Sequence, residues 1–122
     1  MGKWVAGEVL DGALAVIAGA DRMVAVAGQP ASYADAWSGR MAEASLASAD
    51  FSLQPGVGGG RRLAIAGKAG VAVVTPGTAD HVALLDSATS RLLYVTTCPA
   101  QALAAGGTVS FDPWSVEIGG PQ

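Results

Sequence analysis

His81 is the sole histidine of this chain and Cys98 the sole cysteine, and together they bound the chemistry the sequence can perform. A zinc centre needs several His, Cys or carboxylate ligands converging on one point. His81 has Asp80 beside it but no second imidazole, so it reads as the start of a strand near a sheet edge. A serine nucleophile wants a sharp turn of the G-x-S-x-G kind, and no such motif occurs; Ser32 and Ser38-Gly39 fall in loops without the supporting glycines. Cys98, followed by Pro99 at a strand end, reads as a small core residue. Being single it can form no internal disulfide, which fits a reducing compartment or a particle assembled in one.

Two further patterns resemble sites and are better read as structure. Gly56-Val-Gly-Gly-Gly60-Arg61-Arg62 is rich in glycine, but a phosphate loop requires G-x-x-x-x-G-K-[ST] leading into a helix. Here the glycines lead into a strand, so the stretch is expected to be a flexible connection. Asp35, Asp50, Asp80, Asp86 and Asp112 all sit at expected turns or strand ends, where aspartate side chains bond nearby backbone N–H groups. No acidic run of EF-hand type is present, and alanine-rich strands offer little wall for a carboxylate-pair cleft. The expectation is a non-enzymatic protein without cofactor or metal.

Binding is the chemistry that remains. Trp4, Trp37 and Trp114, with Tyr33 and Tyr94, are the large anchors, and tryptophan is enriched at interaction hot spots. Trp4, near the start of the sequence, is assigned to contact with another subunit. Tyr33 and Trp37, four residues apart on a single expected helical turn, offer a stack for a sugar or a neighbouring protein, with structural packing the leading reading. Trp114 reads as core or rim. Arg61-Arg62 is the only basic cluster, a solvated strand start or a contact to an acidic partner surface.

The totals narrow the class. A length of 122 residues suits a single domain spanning 1–122. Apolar residues make up 51 % but aromatics only 6 %, and much of the apolar share is alanine. At about 25 cal/mol per Å² of buried apolar area, such a core is thin, and neighbouring subunits would add to it. Net charge −3 and a pI near 4.8 argue against nucleic acid as partner. Glu8 and Asp11 interrupt any apolar run of a secretory leader, and no stretch approaches the ~20 apolar residues of a membrane span. A soluble chain made in the cytoplasm is expected.

These side chains must be positioned by a mainly β scaffold. Glu8–Ala18 predicts one amphipathic helix, with Val9, Leu10, Ala13, Leu14, Val16 and Ile17 at spacings of three and four. Early acids suit its dipole, Gly19 ends it, and Gly12 weakens it by up to ~1 kcal/mol, so it needs a sheet to pack on. Strands are predicted at 22–27, weakly at 41–49, with Phe51 and Leu53 on one face of a continuation. Others follow at 62–66, where Leu63 and Ile65 share a face, and at 71–75. A turn is expected over Gly67–Gly70 and another at Pro76-Gly77. The hairpin Ala79–Thr97 turns at Ser87-Ala-Thr-Ser90; a loop covers Pro99–Ala105; Thr108–Phe111 and Trp114–Ile118 alternate with period two. Roughly eight short strands and one helix predict a β-sandwich or jelly roll.

Several of these segments also carry a resemblance. Thr78-Ala-Asp-His-Val-Ala-Leu-Leu-Asp86, Leu92-Leu-Tyr-Val-Thr-Thr97, Gln101-Ala-Leu-Ala-Ala-Gly-Gly-Thr-Val-Ser-Phe111 and Trp114–Ile118 resemble a pattern in small structural proteins of tailed bacteriophages. Leu10-Asp-Gly-Ala-Leu14, Arg22-Met-Val-Ala-Val26, Gln29-Pro30 and Ser32-Tyr-Ala-Asp35 extend it towards the N-terminus. The resemblance implies a virion component: a capsid decoration protein, binding the major capsid protein or other virion proteins as a homo-oligomer such as a trimer. The alternative it implies is a tail or fibre knob that binds a receptor or carbohydrate. It carries over no catalytic residue.

Overall fold

The run Arg22–Val26 shows how this chain builds a core from modest side chains. In the computed structural model, which describes residues 5–57 and 59–119, it forms strand β1 (Arg22–Val26), buried at every position after Arg22. Met23 and Ala25 join one apolar cluster, Val24 and Val26 another. A strand covered on both faces reads as a continuous apolar run rather than an alternating one.

Antiparallel partners flank it: β2 (Ala42–Ser45) on one side, then β6 (Gly77–Asp86) and β7 (Arg91–Leu103) on the other, in the order β2-β1-β6-β7. A second antiparallel sheet runs β3 (Phe51–Pro55), β4 (Arg61–Ile65), β9 (Trp114–Ile118), and a third pairs β5 (Lys68–Ala72) with β8 (Thr108–Phe111). An isolated bridge between Ala42 and Val73 ties the first sheet to the chain leaving β5. The fold is therefore mainly β with an N-terminal helix. Leu63 and Ile65 do share the buried face of β4, where they meet Met23, Leu84, Val116 and Leu14 in the main cluster.

Helix α1 (Gly7–Ile17) lies against β4 and β7. The sequence puts six apolar residues on one inward stripe. Only Leu14 is fully buried, with Ile17 packed beside it. Val9 and Val16 are 60 % and 50 % exposed, and Ala13 is exposed too. At 3.6 residues per turn, Val9, Ala13 and Val16 form their own stripe about 100° from Leu10, Leu14 and Ile17.

A second helix, α2 (Tyr33–Ser38), forms where a single turn was expected. Ser32 accepts a hydrogen bond from the Asp35 N–H at 3.2 Å, and the Asp35 carboxylate accepts one from the Ala31 N–H at 3.3 Å. These reciprocal bonds satisfy backbone donors that would otherwise be free at the helix start. The helix covers the outer face of the first sheet, burying Ala36 against Val24, Val26, Ala83 and Leu85.

Three segments correct the sequence reading. Pro99–Leu103 continues β7 instead of looping, because Gln101–Leu103 pair with Gly77–Ala79. Pro99 falls in the bulge opposite Asp80, where the strand needs no ladder donor. The expected turn at 67–70 lies mostly inside β5, with Gly70 at φ +66° in a register shift that bends the strand without breaking it. Alternation also fails in β7: a bulge between the pairs Leu84–Tyr94 and Leu85–Leu92 turns both Leu93 and Tyr94 towards the main core. Leu92 and Val95 turn to the other face.

Candidate functional site

Of the five residues assigned to partner binding, Trp4 lies outside the described residues. Tyr33 and Trp37 come together on α2, their rings parallel within 7° and 6.2 Å apart. Both are half-buried against the outer face of the first sheet. The Arg40 guanidinium lies 3.9 Å from the centre of the Trp37 ring, held there by Glu43 at 3.1 Å and by the Trp37 carbonyl at 2.6 Å. A sugar stacking on that face of Trp37 would have to displace a cation that two hydrogen bonds fix there.

Arg61 and Arg62 point to opposite faces of β4. Arg61 Nε donates to Asp11 on α1 at 2.6 Å, so its charge is used to seat the helix. Arg62 donates from Nη2 to Gln54 at 2.6 Å. Its Nε is buried without a partner. Glu117, opposite Arg62 in register, instead accepts from the Val57 N–H at 3.2 Å.

His81 lies within the inner strand β6 and Cys98 within β7, although both were expected at strand ends. His81 Nδ1 lies 2.7 Å from an Asp80 carboxylate oxygen that also accepts from the Gly28 N–H at 2.8 Å. These contacts, His81 first, hold the Asp80 carboxyl below its ordinary value. Burial, with Asp80 nearby, pushes the Cys98 thiol up, away from the thiolate a nucleophile needs. Among the described residues no three His, Cys, Asp or Glu side chains converge as metal ligands, and no helix is long and apolar enough to cross a membrane.

What the sequence did not point to is a cleft of about 700 Å³ between β7 and the β8–β9 corner. Its floor is Ala25, Ala79 and Val82, and Trp114 stands in one wall, tilted by 32° on Tyr94 at 6.0 Å. Ala25, Val82 and Thr96 are cross-strand neighbours on β1, β6 and β7, so the cleft lies over one face of the first sheet, with the β8–β9 corner opposite. Two interaction surfaces thus stand out: this cleft, and the outer stripe of α1.

Comparison with family models, with curated proteins and with solved structures finds no match to this chain.

Proposed function

We propose that the chain is a non-enzymatic virion structural protein, a capsid decoration protein that binds the capsid lattice in many copies, as a homo-oligomer such as a trimer. The observation that carries association is the second apolar stripe of α1. A helix that is apolar over nearly half its circumference belongs between two layers, and among the described residues α1 has protein on one side only: Leu14 is fully buried while Val9 and Val16 are largely exposed. A lattice neighbour supplies the missing layer. The resemblance to small tailed-phage structural proteins supplies the kind of neighbour.

The charge distribution suits this role. Arg22, Arg40, Arg61, Lys68 and Arg91 each lie within ion-pair distance of a carboxylate of the same chain, leaving a surface that adheres through shape and apolar area. Weak contacts repeated on a rigid lattice add through effective concentration. The test is to mix the purified protein with tailed-phage capsids lacking their decoration protein. Co-sedimentation and a raised capsid melting temperature are expected; failure of both defeats the proposal.

A further inference from the structure

We draw no further inference here: the strongest candidate, the cleft of about 700 Å³ over the face of the first sheet beneath the β8–β9 corner, carries nothing because nothing in the structure shows what covers it.

Discussion

The carboxylate of Asp21, at the entry to β1, accepts two hydrogen bonds from Ser87, at the start of the β6–β7 turn. One comes from the backbone N–H at 2.9 Å, the other from the hydroxyl. The same residue donates its own N–H to the Leu85 carbonyl at 2.9 Å and accepts from the Leu46 N–H at 2.9 Å. Asp21 thus joins three strands of the first sheet at one corner. Because its side chain is 36 % exposed, Ser87→Ala should cost about 1 kcal/mol, below the usual ~1.5–3 kcal/mol for a bond to a charged acceptor, since solvent screens part of it. Asp21→Ala should cost about 2 kcal/mol, since the Ser87 N–H also loses its partner. Urea denaturation with an unchanged m-value would report both.

Acid should unfold the chain through its turn aspartates. Burial alone would raise the Asp21 carboxyl, but the Ser87 bonds and Arg22 outweigh it and hold it below the ordinary value. Asp50 is lowered by the Ala47 N–H and Lys68, Asp80 by His81 and Gly28, Asp86 chiefly by Thr89. In each case the unfolded chain binds protons more readily than the folded one. Stability from these groups is therefore complete above the unfolded carboxylate range and declines as pH falls below about 4. Thermal melts from pH 7 to 2 should show a steep fall at the acid end, made shallower in Asp21→Asn. A flat profile would contradict this.

Gly60 should tolerate no side chain. Its φ is +74°, and an added Cβ would collide with the Ile118 carbonyl oxygen of the neighbouring strand. Gly60→Ala combines left-handed strain with a backbone clash that cannot relax cheaply. A loss of at least about 2 kcal/mol is expected, with Gly12→Ala, in open space on α1, as the stabilising counterpart of about 0.5–1 kcal/mol.

The two stripes of α1 should separate stability from association. Leu14→Ala should cost about 3 kcal/mol by opening a cavity in the core. Val9→Ser and Val16→Ser should change the stability of the free chain by no more than about 0.5 kcal/mol, yet weaken self-association and capsid binding together. Sedimentation velocity beside denaturation would distinguish these effects.

How much of this was legible in the residues follows from the range of the interactions. The β6–β7 hairpin, its turn at Ser87–Ser90 and the Leu63/Ile65 face rest on local patterning and were readable. Pro99 was misread because proline marks a break unless the strand has a free edge or a bulge, and that depends on the pairing of 101–103 with 77–79. The split stripe of α1 was hidden because periodicity states which residues share a face, not how much of that face has a partner. Tyr33 and Trp37 were rightly placed together; Arg40 over the indole needed the turn into β2 to bring it there. The cleft had no local signal, because it forms where the β8–β9 corner stands over the face of a sheet built from distant segments.

The proposal that this chain is a lattice-binding virion component is tested most directly by quantitative mass spectrometry of tailed-phage particles purified from cells in which they assemble beside this chain without a decoration protein of their own. The account predicts the chain in a fixed, high ratio to the major capsid protein, lost when Val9 and Val16 are both changed to Ser. Particles complete without it, while it accumulates free in the host cell, would contradict the account.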